Sequence, residues 1–117
     1  MFLTRISGGY REFNVSYHND LHAFDVFQMT FVLLHGPKGI AARASMEPLD
    51  CLAGLVGAFC HDFKHDGYTN IWHKVNNTER YKEHGADGTQ EKFHFAESWK
   101  VLMREECNFI SHLSYDA

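Results

Sequence analysis

The chain has 117 residues, 44% of them hydrophobic and 15% aromatic, and carries a formal net charge of -4. That length admits one domain at most, with apolar material for a modest core, or a piece of something larger. Its Lys and Arg residues are scattered, which leaves no footprint for a nucleic-acid partner, and no apolar run is long enough to span a bilayer.

The N-terminus, Met1 to Arg5, lacks the apolar core of a signal peptide. Cys51, Cys60 and Cys107 show no Cys-x-x-Cys spacing and read as buried thiols of a reducing compartment, so the expected location is the cytoplasm. Phe2, Leu3, Ile6 and Tyr10 recur at helical spacing and predict a first helix despite Gly8 and Gly9. It opens without a capping residue, as a fragment starting inside a helix of a larger domain would.

From Tyr17 to Leu34 the pattern predicts a second helix, with Leu21, Phe24, Phe27, Phe31 and Leu34 as its apolar stripe. His18 and His22 then stand one turn apart and can serve a metal or acid–base site, or else cap and pack the helix. Asp25 can orient His22 or lie in solvent. His35 to about Ala44 reads as a loop, after which Ser45 can cap a helix with Glu47 and Pro48 in its first turn. Leu49, Leu52, Leu55, Val56 and Phe59 make its buried face, while Ala53, Gly54, Gly57 and Ala58 allow close approach of a neighbour.

This helix ends in Phe59 Cys60 His61 Asp62 Phe63 Lys64 His65 Asp66 Gly67. An adjacent His and Asp at the last turn can offer one ion an imidazole nitrogen and a carboxylate oxygen, with the carboxylate bridging to a second ion. The alternative is an ordinary helix C-terminus, where the macrodipole favours a His and the Asp is solvated. Asp66-Gly67 signals a turn, and Asn70 can cap the next helix. That helix is short, running from about Ile71 to Asn76-Asn77, and Asn76 with Glu79 has capping-box spacing for another, which stops near Gly85. Asp87 with Gln90 can cap the last helix, in which Phe95, Trp99, Leu102, Met103 and Ile110 read as core. Glu91 and His94 lie three apart on one side, as site residues or as a surface pair.

Three stretches share one resemblance: Tyr17 to Val26 (YHNDLHAFDV), His61 to Asn70 (HDFKHDGYTN) and Glu91 to His94 (EKFH). In this order they resemble the catalytic domain of class I 3′,5′-cyclic nucleotide phosphodiesterases, whose patterns read YHNxxHAxDV, HDxxHPGxxN and ENHH. Three departures stand out: Asp66 replaces a Pro, Lys92 an Asn, and Phe93 the first His of the final pair. The resemblance implies an all-α fold, a multi-helix fragment of the HD-superfamily phosphodiesterase catalytic domain, with residues 1–117 in its N-terminal half. It further implies hydrolysis of cAMP and/or cGMP to the 5′-monophosphate in signal transduction.

By that resemblance His18 is the general acid. His22, His61 and Asp62 are ligands of one ion, Zn2+, and Asp62 bridges to a second, Mg2+ or Mn2+. His65 and Glu91 hold metal-bound waters, with Glu91 also beside His18. Tyr17 and His94 line the phosphate side, and Asn70 caps a helix beside the site. The chemistry requires these types: two cations lower the pKa of water and offset phosphoryl charge, and a basic leaving alkoxide needs an imidazole donor.

The family's last metal-ligand Asp and purine-gripping Gln lie beyond Ala117. The C-terminal half, or a partner, is therefore expected to cover apolar helix faces. The 117 residues alone are expected to be poorly soluble, dimeric or molten, without turnover of cyclic nucleotide. Two other readings remain: a non-catalytic helical scaffold acting through partner contacts, and an HD-superfamily phosphohydrolase with another nucleotide substrate.

Overall fold

The computed structural model describes residues 1–113, which form helices and, among the described residues, no strand. In chain order these are α1 (Phe2–Tyr10), α2 (Asp20–His35), α3 (Ile40–Arg43), α4 (Pro48–Cys60), α5 (Asn70–Val75), α6 (Glu79–His84) and α7 (Thr89–Leu102). No helix among them is long and apolar enough to cross a membrane.

The central pair is α2 against α4, running antiparallel: Leu34 near the end of α2 clusters with Cys51 near the start of α4, and His22 meets His61 at the other end. Helix α2 begins at Asp20, three residues later than the predicted start at Tyr17. Asn19 is extended, and its side-chain oxygen accepts from the amides of Leu21 and His22 at 3.1 and 3.2 Å, so the cap stops the helix from extending backwards. Helix α4 is capped by Glu47 rather than Ser45. Glu47 and Asp50 form a reciprocal capping box with Pro48 in the first turn, whereas Ser45 sits at φ 51° in the preceding turn. The predicted loop after His35 contains the short helix α3, whose Ala41 packs with Leu34 and Cys51.

Phe2, Ile6 and Tyr10 of α1 lie against Ala23, Phe59, Cys60, Phe63, Val101, Leu102 and Cys107 in the main core. Leu3, predicted beside them, is exposed. Gly9 is the close-approach point: a Cβ there would fall 2.2 Å from the Phe63 ring. Helix α2 turns Ala23 and Leu34 inward with Phe27 partly buried, leaving Leu21 and Phe31 exposed and Phe24 half-exposed against Phe59. With Val26, Phe27, Phe31, Val32, Leu33 and Leu34 spread around its circumference, the pattern could not select the face. Phe59 is buried as expected, but Leu49 and Leu52 are exposed, and a Cβ on Gly57 would meet nothing within 4 Å.

The caps of α5 and α6 are threonines. Thr69 and Thr78 accept from the amides of Trp72 and Tyr81 at the starts of α5 and α6, displacing the expected Asn70 and Asn76. Helix α7 follows Gly88 in the left-handed region (φ 67°) rather than an Asp87 cap. Its buried face is His94, Ser98, Val101 and Leu102, while Phe95, Trp99 and Met103 are exposed. All three cysteines are buried free thiols.

Candidate metal centre

The site forms where α4 stops. The Phe63 amide closes on Cys60 O and the His65 amide on Asp62 O, each at 3.0 Å, and Lys64 then turns the chain at φ 59°. This winding aims His61 and Asp62 at the first turn of α2 and His65 at His18, just before it. There His22 Nε2 lies 3.1 Å from both His61 Nε2 and Asp62 Oδ2, and His61 Nε2 lies 2.9 Å from Asp62 Oδ2.

Hydrogen bonds fix which ring nitrogens are free. His61 Nδ1 donates to Ala58 O at 2.7 Å, leaving its Nε2 lone pair for the cluster. His94 Nδ1 donates to Phe63 O at 2.6 Å, and its Nε2 faces Asp62 Oδ1 at 3.9 Å. His65 is the opposite tautomer: its Nδ1 accepts from the Gly67 amide at 2.9 Å, so the proton of the neutral ring sits on Nε2 and makes it a donor. His65 is stacked between His18 (centroids 3.9 Å, 11°) and His94 (5.4 Å, 23°). His18 Nε2 is 4.0 Å from Asp62 Oδ2. Tyr17 is exposed and lays its ring over His22 at 4.6 Å.

Burial pushes the Asp62 carboxyl up, but a protonated His61, whose Nε2–H then donates to it, and the charges of His61, His18 and His94 outweigh burial and bring the pKa down to about 2. His61 is raised, chiefly by its bond to Asp62. Burial, then His18 and His94, depress His65 to about 4, which keeps it neutral near pH 7. His94 is lowered by burial.

The donor set fits a divalent cation: imidazole nitrogens of His22 and His61 and a carboxylate oxygen of Asp62 lie within 4.8 Å of one another; His18, Asp62 and His65 are grouped as closely, but the Nε2 proton makes His65 a donor there rather than a ligand. Among the described residues Asp25 is exposed and has no hydrogen bond to His22. Glu91 is held by Asn70 Nδ2 at 3.0 Å, a bond that lowers its pKa, rather than by His18. Asn70 also accepts from the Gln90 amide at 2.8 Å, so it caps α7, twenty residues on, instead of its own helix.

Two supports were not anticipated. The buried Tyr10 hydroxyl contacts the end of α4. Arg80 donates to Gln90 Oε1 (2.7 Å) and Lys64 O (3.0 Å), pairs with Asp66 at 3.5 Å and lies 3.6 Å over the Phe93 ring. Asp66 and Phe93, two departures from the phosphodiesterase pattern, thus share one partner. An isolated Arg in a charged run gave no sequence signal for this.

A family model for 3′5′-cyclic nucleotide phosphodiesterases matches residues 17–117. Similar curated proteins include a dual specificity calcium/calmodulin-dependent 3′,5′-cyclic nucleotide phosphodiesterase of Drosophila melanogaster, 33% identical over 97% of this chain and 13% of its own length. A 3′,5′-cyclic-nucleotide phosphodiesterase of Dictyostelium discoideum is 32% identical over 98% of the chain and 14% of its own length. A 3′,5′-cyclic-AMP phosphodiesterase of Rattus norvegicus is 34% identical over 97% and 20%. The chain therefore spans a fifth or less of the length of these relatives.

Proposed function

The chain belongs to the 3′5′-cyclic nucleotide phosphodiesterase family, and on that premise we propose that residues 1–117 form the metal-binding, N-terminal part of a catalytic domain that hydrolyses cAMP and/or cGMP to the 5′-monophosphate. The observation that carries this reading is the approach of His22, His61 and Asp62 to within 2.9–3.1 Å of one another, from two separate helix ends.

His22, His61 and Asp62 would hold one divalent cation, Zn2+, and Asp62 would contribute to a second, Mg2+ or Mn2+. When bound, the cations supply an ionised water at neutral pH and offset charge on the phosphoryl oxygens. His18, 4.0 Å from Asp62 at the edge of the cluster, protonates the departing 3′ oxygen. His65 donates through Nε2–H and Glu91 accepts, together ordering water around the site. Tyr17 and His94 border the phosphate. Three free buried thiols suit a reducing compartment, and the cytoplasm is the place we assign.

An apolar groove of about 490 Å³ runs from His61 and His94 along Phe95, Trp99 and Leu102 to Ile110. The C-terminal half of such a domain, or a partner in its place, covers it. The same exposed faces favour the scaffold reading if no chemistry is found. A chimera decides: this chain replaces the aligned segment of the Drosophila relative, and release of 5′-nucleotide from cAMP and cGMP is measured. Turnover that His18→Ala abolishes supports the proposal. A folded, metal-loaded chimera without turnover refutes it.

A further inference from the structure

Two backbone groups at the end of α4 lose their helical partners, and a side chain from α1 replaces both. The Phe63 amide bonds Cys60 O at 3.0 Å, so Phe59 O gives up its i+4 donor. Ala58 O, the i-4 acceptor for the Asp62 amide, receives His61 Nδ1 at 2.7 Å instead. The Tyr10 hydroxyl donates to Phe59 O at 3.0 Å and accepts from the Asp62 amide at 3.1 Å. Its ring is 1% exposed and packs edge-on to Phe63 with centroids 6.0 Å apart, so the hydroxyl is held in place. Tyr10 also lies outside residues 17–117, the span the family model matches.

We propose that Tyr10 is a positioning residue of the metal centre: by holding the Asp62 amide, its hydroxyl leaves Ala58 O to receive His61 Nδ1–H, and so aims both ligands at His22. Helix α1 is then part of the site rather than packing alone. The proposal rests on reading His22, His61 and Asp62 as a cation site.

The test titrates Co2+ alone into the 117-residue chain, following its visible absorption, beside a circular-dichroism melt. Tyr10→Phe keeps the ring and deletes the hydroxyl. Ile6→Val, from the same buried face of α1, loosens the core and keeps the hydroxyl. The expected result is wild-type affinity for Ile6→Val and a loss of about tenfold or more for Tyr10→Phe, with altered absorption bands and a helical spectrum retained. Equal affinity in Tyr10→Phe and wild type overturns the proposal, as does an equal loss in Ile6→Val. Should Tyr10→Phe fail to fold, the wild-type chain labelled with 13C at tyrosine Cζ decides: a Tyr10 resonance that shifts in step with Zn2+ occupancy supports the coupling, and one that ignores Zn2+ refutes it. Failure of the wild-type chain to bind Co2+ defeats the proposed metal centre itself.

Discussion

Replacing Arg80 with Leu removes a guanidinium whose side chain is 11% exposed and which touches four groups: Asp66, Gln90 Oε1, Lys64 O and the Phe93 ring. Breaking a fully buried ion pair from one side costs about 3–5 kcal/mol. Asp66 retains Gln90 Nε2, the Tyr68 amide and His73 Nε2 at 3.0–3.3 Å, so the charge contribution falls to about 1–2 kcal/mol here. Two lost hydrogen bonds add about 1 kcal/mol each, the cation–π contact adds about 1 kcal/mol, and the new Leu returns about 1 kcal/mol of apolar burial. The expected net loss is about 3–4 kcal/mol, read as a fall in urea midpoint at low protein concentration.

Arg80→Leu combined with Asp66→Asn is expected to lose less than the two changes summed, by about 1 kcal/mol. The pair is not symmetric. Burial presses the guanidinium pKa down more than Asp66, Glu12 and Glu97 lift it, whereas at Asp66 the upward push of burial is outweighed by Arg80, Gln90 and the Tyr68 amide. With its folded pKa depressed, Asp66 contributes stability above the unfolded carboxylate value of about 3.9 and loses it as pH falls through the lower folded value. Arg80→Leu raises that folded value and shifts the loss to higher pH. A change under about 1 kcal/mol, or strict additivity in the double mutant, refutes this account of how the loop after α4 is held.

Asp62→Ala is expected to abolish Zn2+ binding measured by calorimetry while helicity persists; unchanged stoichiometry and affinity would contradict the proposed ligand set. Asn70→Ala uncaps α7 and frees Glu91, which predicts a loss of about 1 kcal/mol and a Glu91 pKa that rises toward the ordinary value in carboxylate-labelled NMR. A Glu91 pKa left where it was would argue against the Asn70 bond. Phe59→Ala empties a site 1% exposed between Tyr10, Phe24 and Phe27, and a melt should show a loss of about 3–5 kcal/mol; under about 1 kcal/mol would mean that the α2–α4 contact is not a packed core. Because Phe31, Leu33, Phe95 and Trp99 are all exposed, sedimentation should show dimers or larger species that mild detergent disperses. A monomer at high concentration would show that these faces do not drive association.

Helical spacing and terminal signals were local properties of the chain, so the all-α architecture and most of the helices could be read directly. The clustered His and Asp residues were legible for the same reason, since YHNDLH and HDFKH each keep their chemistry within a few residues. Which face of a helix turned inward was not local. In α2 the apolar residues encircle the helix, and in α7 the bond from His94 to Phe63 O buries a polar side chain in preference to Phe95 and Trp99.

The amino-acid sequence by itself determined the helices, the residue types of the site and its kinship with cyclic nucleotide phosphodiesterases. Tertiary structure alone decided that His22 and His61 meet across one carboxylate, that His65 donates where His61 and His94 present lone pairs, and that Tyr10 and Arg80 brace the turn between them. The physical reason is that a tautomer is set by whichever carbonyl or amide comes within hydrogen-bond reach. For His94 that carbonyl is Phe63 O, thirty-one residues away in the chain, and the Tyr10 hydroxyl that takes the Asp62 amide is fifty-two residues away.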